Sequence, residues 1–504
     1  MLWCTVLFTL VALPIVIYLF FKWKFSYWKN RGVPSLPPII PHGNFKGVSI
    51  SKHSNDLLSE TYFTFKGKSP IAGIYFFFSP IAVPIDLDLI RNILVKDFHS
   101  FHDRWFYFNE KEDPLSANMF ALHGEKWKRI RSKLSPTFTS SKMRFMFPTV
   151  VNVSERLVKA FSAEIKLGAD IEVKEILARF TTDVIGECAF GIVCNTLQNS
   201  NSEFRKFGRI ALGEPRHSRL TVNALKQFPK IAEKLKCRII RDDVTEFFFR
   251  IVRETISFRE ENNIHRNDFM DLLIELKNER KNGEEGNLSI EEITAQVFLF
   301  FLAGFETSST TLSYTLYELA LNSDIQNRAR DEIFTVLNKY NGQLTYEALM
   351  EMQYIDQIIS ETLRKYPPMV TITRQATEDY RIPNTNITLE KDTSIFIPVY
   401  SIHHDPEIYP NPETYDPDRF NSGEEKRRHP LAYLAFGEGP RNCVGLRFGK
   451  METRIAMVNL LKNFRFVKCS RTEIPLKFNN AASLLTTKGG IFLKVEKLTQ
   501  LEET

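Results

Sequence analysis

From Ser289 the chain reads Ser-Ile-Glu-Glu and then runs into a stretch, Val297 to Gly304, that is apolar on every side of a helix. A serine with a glutamate three residues on is a capping box, which fixes a helix start. A helix with no polar face must lie inside protein, and eight apolar residues are too few to cross a bilayer. The run therefore predicts a central core helix, continuing to about Asn322, wrapped on all sides by other elements. The chain is large enough to do the wrapping: it has 504 residues, 43% of them hydrophobic, with 42 phenylalanines. From about 120 to 370 the pattern is mostly helical, and another helical stretch lies near 445 to 463. Phe, Tyr and Ile runs broken by Gly and Pro between Thr61 and Pro84 predict short strands, as do the residues near the C-terminus. The fold class is mainly α with a smaller β region.

Met1 to Phe21 carries no charged residue, and Lys22, Lys24, Lys29 and Arg31 follow it. That is about the twenty apolar positions one spanning helix needs. Basic residues behind the run, not before it, predict an uncleaved signal anchor over 1–21 with the remainder on the cytoplasmic side. Pro14 falls inside this run. Pro34, Pro37, Pro38 and Pro41 then stiffen the chain, so 22–44 reads as a basic, proline-rich hinge and 45–504 as a single domain. The net charge of +6 comes without a long Lys/Arg block, which argues against nucleic acid as a partner. Six cysteines without a CxxC pair suggest neither a disulfide framework nor a zinc site.

One cysteine sits differently. Phe436-Gly-Glu-Gly-Pro-Arg-Asn-Cys443-Val-Gly445 is a glycine-rich turn that delivers Cys443 just ahead of a helix. Backbone N–H groups there can donate to a thiolate and lower its pKa; an unreactive buried cysteine in a tight turn is the plain alternative. A nucleotide-binding GxGxxG fails because Asn442 stands at its third glycine. Glu361-Thr-Leu-Arg364 places a carboxylate and a guanidinium three apart on one helix face, upstream of Asp416-Pro-Asp-Arg419-Phe420. In the core helix, Glu306 and Thr307 interrupt an apolar stretch, and buried polar groups need partners. The plain account has Thr307 bonding back to a helix carbonyl and Glu306 paired elsewhere.

Phe436, Gly439, Arg441, Cys443 and Gly445 match position by position the FxxGxRxCxG pattern of the cytochrome P-450 family, which this chain resembles. The resemblance implies a cytochrome P-450 fold behind the anchor helix, and haem b with Cys443 as axial thiolate ligand to the iron. It implies further that Phe436 packs beside the sulfur and that Arg441 contacts a propionate. Trp127 and Arg131 match the family's WxxxR, and Arg374 is the third expected propionate partner. Glu361, Arg364 and Arg419 correspond to its structural triad, with Asp418 where many relatives carry Glu. Glu306 and Thr307 correspond to the acid-alcohol pair that relays protons to bound dioxygen, with Gly304 loosening the helix. The thiolate favours O–O cleavage, so the implied reaction inserts one oxygen atom from O2 into an apolar small molecule with electrons from NADPH. Expected substrate contacts are Trp105, Phe106, Phe108, Phe298, Phe301, Leu302 and the segment Met369 to Ile372, Val370 included. Expected partners are NADPH-cytochrome P-450 reductase, drawn to the basic face of Lys126, Lys128, Arg129 and Lys133, cytochrome b5, and the endoplasmic reticulum membrane. The chain looks most like the insect microsomal members, associated with breakdown of insecticides and plant toxins and with hormone metabolism. The rival readings are a haem-thiolate isomerase that needs no reductase and a membrane-tethered carrier of apolar ligands without catalysis.

Overall fold

In the computed structural model, which describes residues 2–166, 168–266, 268–278 and 288–498, the capping box closes as its spacing predicts. Ser289 Oγ accepts from the Glu292 N–H at 3.2 Å and Glu292 Oε2 accepts from the Ser289 N–H at 3.0 Å. The helix it starts, Ile290–Leu321, is the axis of the fold. It packs most extensively against Val173–Ile185, and Asp242–Glu261, Gln353–Lys365 and Leu446–Asn463 close around it. Phe298, Phe301 and Phe305 are buried on it, and Phe298 and Phe301 meet Phe248 edge-on at 5.1 and 5.4 Å. Burial of such rings is the dominant favourable contribution to a core of this kind.

The β region is one four-stranded sheet with smaller ribbons beside it. Ile71–Phe76 pairs antiparallel with Ser79–Pro84, which runs parallel to Ser394–Ile397; that strand in turn pairs antiparallel with Ile372–Gln375. Ile71–Phe76 is buried at every position, so this strand is covered on both faces. Phe464–Lys468 and Phe492–Lys497 form the expected C-terminal pair. The strand region predicted from Thr61 begins later. Residues up to Phe65 belong to the helix Ser54–Phe65, held by a second capping box in which His53 and Asp56 exchange hydrogen bonds with each other's backbone. Local capping there outweighs the β preference of Thr, Tyr and Phe.

The chain that follows the first helix is bound into the body. Leu2–Lys24 is helical with Pro14 inside it, but among the described residues no helix is long and apolar enough to cross a membrane. Met1 and the side chains at 2 and 4–10 lie outside the described residues, as do 499–504 of the domain expected over 45–504. The proline-rich segment, expected as a hinge, docks on the sheet. Trp28 is fully buried, its Nε1 donating to the Ile74 carbonyl at 3.1 Å, and the Gly73 N–H donates to Pro34 at 2.8 Å. A Cβ on Gly73 would stand 2.3 Å from the Trp28 ring. Gly73→Ala is therefore expected to cost about 1–3 kcal/mol by overpacking, read as a lower Tm in thermal unfolding followed by circular dichroism.

Candidate active site

The cysteine turn owes its shape to glycine. Gly437 and Gly439 have φ of +69° and +75°, a region that L side chains avoid. At Gly439 a Cβ would also lie 1.9 Å from the Leu94 carbonyl oxygen. The Cys443 N–H donates to Phe436 at 2.8 Å, which closes the loop before the helix Leu446–Asn463. Cys443 is reachable by solvent yet sits deep within the protein, so it faces an internal opening. Burial pushes its thiol pKa up, against the Gly445 N–H, Arg131 and Arg104, which pull it down. The loop donors expected from the sequence are thus present but outweighed by desolvation in the polypeptide alone.

Around this loop four guanidiniums converge. Arg131 donates to the Asn442 carbonyl at 3.0 Å and to its side-chain oxygen at 2.9 Å. Arg441 donates to the carbonyls of Leu122 and Phe120 at 2.5 and 3.3 Å and lies over the Trp127 ring at 4.3 Å. Arg374, almost wholly buried, reaches among the described residues only the carbonyl of Thr373. Arg104, which sequence reasoning did not single out, donates to the carbonyls of Arg441 and Phe120 at 3.1 and 3.2 Å. Burial and mutual repulsion draw Arg104 down to about 10 and Arg441 to about 8, and Arg374 well below its ordinary value. The nearest carboxylate is Asp103, 3.9 Å from Arg441. Nε of both Arg374 and Arg441 is buried without a hydrogen-bond partner. Such a cluster fits a dianionic group, and the two propionates of a haem seated over Cys443 meet that requirement.

Glu361, Arg364 and Arg419 are brought together beneath the loop. Arg364 holds Glu361 through two bonds of 2.7 and 2.8 Å with both side chains fully buried, and its remaining donors go to the carbonyls of His403 and Pro412. Arg419 Nε stands 3.5 Å from Glu361. His403 carries the network onward: Nδ1–H donates to the Arg364 carbonyl at 3.2 Å, and Nε2 accepts from the Leu434 N–H at 2.8 Å, two residues before Phe436.

On the central helix, Thr307 Oγ1 donates back to the Ala303 carbonyl at 2.7 Å and Glu306 pairs with Lys174 at 2.7 Å. Ala303 is exposed and Leu299, Leu302, Gly304, Glu306 and Thr307 are half-buried, together forming the stripe left accessible on the middle of an otherwise buried helix. At 3.6 residues per turn, Phe298 and Phe301 point away from that stripe. They fill the aromatic cluster with Phe248 and Phe305, so both belong to the core and not to an open pocket. Gly304 permits close packing: a Cβ there would meet Ile185 at 2.9 Å. Of the other expected contacts, Leu302, Phe108 and Ile372 are half-buried, Val370 is buried, and Trp105 and Phe106 line a cleft. Phe436 and Trp127 pack in the core beside the cysteine turn.

A family model described as Cytochrome P450 matches residues 34–495. Among curated proteins the chain is 46% identical to Probable cytochrome P450 6a13 of Drosophila melanogaster, over 98% of this chain and 99% of that one. It is 44% identical to Cytochrome P450 6A1 of Musca domestica over 95% of each, and 46% identical to Cytochrome P450 6a2 of Drosophila melanogaster over 98% and 99%. The chain belongs to the cytochrome P450 family. It is a haem-thiolate monooxygenase whose cofactor is haem b, working with O2, a reductase as redox partner and a small-molecule substrate.

Two outcomes follow from the charges buried here. Glu361→Gln leaves the Arg364 guanidinium buried without its counterion, a loss of about 3–5 kcal/mol; Soret absorbance per mole of protein should fall with it. Glu452, on the helix after the cysteine, is buried with neither oxygen hydrogen-bonded, Ser308 being its polar neighbour, and burial pushes its carboxyl up to about 8. The folded protein then keeps a proton that the unfolded chain releases above about pH 4.3. This contribution to stability is full below the unfolded pKa and is lost as pH rises through 8. Glu452→Gln should remove that loss, so that urea midpoints of variant and wild type diverge, in favour of the variant, between about pH 4.3 and pH 8 and run parallel above that.

Proposed function

We propose that Cys443 is the axial iron ligand and that the enzyme oxidises apolar foreign or hormone-like molecules on the cytoplasmic face of the endoplasmic reticulum. The observation that carries the reading is the four-guanidinium cluster around the cysteine turn, with Arg104, Arg131, Arg374 and Arg441 as propionate partners and Phe436 and Trp127 packed beside them. When bound, the haem supplies the activation of dioxygen and the transfer of one oxygen atom. Thr307 brings the hydroxyl of the accessible stripe on the central helix; turning its Oγ1 away from the Ala303 carbonyl frees it to donate a proton toward the opening. Glu306, tied to Lys174, is the acid behind it. Glu361, Arg364 and Arg419 hold the cysteine turn from below. Trp105, Phe106, Phe108, Leu302 and Val370 supply the apolar surface, and Leu2–Lys24 serves as the membrane anchor.

Reductase and cytochrome b5 dock on the cysteine side through the helix Gly124–Leu134. Local pairing tempers its basic face: Lys126 meets Glu110 at 2.7 Å, Lys128 lies 3.7 Å from Glu125, and Arg129 pairs with Glu292. Steering toward an acidic partner then depends on the sum of the face more than on one lysine.

The deciding experiment is the visible spectrum of the reduced protein under carbon monoxide beside Cys443→Ser. A strongly red-shifted Soret band, lost in the variant, is expected; a band unchanged by the substitution would refute thiolate ligation by Cys443. Thr307→Ala should keep that band. Its product formed per NADPH, measured with reductase, should drop on the order of tenfold as peroxide rises.

A further inference from the structure

Among the described residues Asp103 is the carboxylate nearest the guanidinium cluster, and it is held there from several sides. Its Oδ1 stands 3.9 Å from the Arg441 guanidinium and accepts from the Gly124 N–H at 2.8 Å and the His102 Nδ1–H at 2.7 Å. Its main-chain carbonyl accepts from the Gln375 N–H at 2.9 Å, which ties it to the strand that carries Arg374. The side chain is only 17% exposed, so bulk salt screens its charge in part. His123 lies on the other side, with Nδ1 3.9 Å from Oδ2, and gives its Nε2–H to the Arg104 carbonyl at 2.9 Å. Both imidazole bonds are made with one proton on each ring, which leaves the carboxylate's charge to Arg441.

A cap on the helix Gly124–Leu134 is the plain role of Asp103, since His123 at the N-cap position makes no side-chain cap bond. Capping does not explain the charge. Asparagine caps a helix about as well as aspartate, and an anion beside guanidiniums that hold propionates competes with them. A count of charges does explain it. Arg104, Arg131, Arg374 and Arg441 bring four positive charges to the cysteine turn. The two propionates of a haem and the Cys443 thiolate bring three negative ones, and Asp103 supplies the fourth.

We propose that Asp103 is a positioning residue that closes the charge balance of the cofactor pocket, acting through Arg441 to hold the iron at a lower reduction potential than the guanidiniums alone would set. The proposal rests on the oxygenase reading above and adds to it a residue that governs how readily the enzyme takes its first electron. Uncompensated positive charge in a poorly solvated site favours the reduced, less positive iron, so the carboxylate keeps the resting enzyme oxidised.

The test is a potentiometric titration of the holoenzyme under argon, followed at the Soret band, in wild type, Asp103→Asn, Asp103→Glu and His123→Lys. Asp103→Asn keeps an acceptor for Gly124 and loses the charge. Its equilibrium constant for reduction should rise on the order of tenfold, a potential about 59 mV higher. Asp103→Glu keeps the charge and should stay near wild type. His123 lines the cleft, and His123→Lys, which sets a fixed cation beside Asp103, should raise the potential in the same direction as Asp103→Asn. An unchanged potential in Asp103→Asn, or a shift in Asp103→Glu as large as in Asp103→Asn, overturns the proposal and leaves Asp103 as a helix cap. Should Asp103→Asn fail to hold haem, His123→Lys decides, and an unchanged potential there refutes the charge balance. In protein that shows the red-shifted carbon monoxide band, the potentials judge Asp103 alone; a wild type without that band would count against the oxygenase reading itself.

Discussion

Positive charge buried beside Cys443 is the condition that the rest of the structure serves. Arg104, Arg131, Arg374 and Arg441 lie close enough to depress one another, and Asp103 is the nearest polypeptide carboxylate. Some of the demand is met by main-chain carbonyls, whose dipoles soften the charge without cancelling it. The same fold solves the same problem differently a short distance away. Arg364 is as deeply buried, but Glu361 neutralises it through two hydrogen bonds and carbonyls take its other donors. One network is complete within the chain and the other is complete only with an anionic group. The first gives the cysteine turn a rigid floor and the second gives it an affinity.

The two are mechanically joined. His403, bonded through both ring nitrogens, links the Arg364 carbonyl to the Leu434 N–H, and Leu434 leads directly into the glycine turn. Burial pushes its imidazolium form well out of reach, so it acts as a neutral brace with its tautomer fixed by the two bonds. From the other side, Leu94 presses its carbonyl where only glycine fits at 439. A loop held from both sides keeps one sulfur in one position, which a metal ligand needs.

The central helix was legible because its signals are local and redundant, a capping box followed by residues apolar all round. The cysteine turn was legible as a spacing of five residues within ten. What escaped had no local mark. Arg104 precedes Trp105 in an irregular segment, and only the folded chain carries it to Arg441. Thr61 to Phe65 reads as strand by composition, yet the cap eight residues earlier governs it. The prolines after the first helix read as a hinge, and Trp28, inserted against Gly73, ties that segment to the sheet. Phe298 and Phe301 could not be oriented from sequence for the very reason that located their helix: with no polar face, there is no periodicity to separate core from cavity.

Alternation along extended backbone then explains how the guanidinium cluster and the cleft share a small region. Arg374 turns inward to the guanidinium cluster while Gln375, next in the same strand, lines the cleft; Arg104 and Trp105 divide in the same way. Neighbouring residues on an extended chain face opposite sides, so the cleft-facing positions are free to vary as long as the backbone holds its register. That register is set by pairing of Arg374 with Ile395 and Gln375 with Ser394. Side chains at Trp105 and Gln375 can thus differ without disturbing the guanidiniums of Arg104 and Arg374.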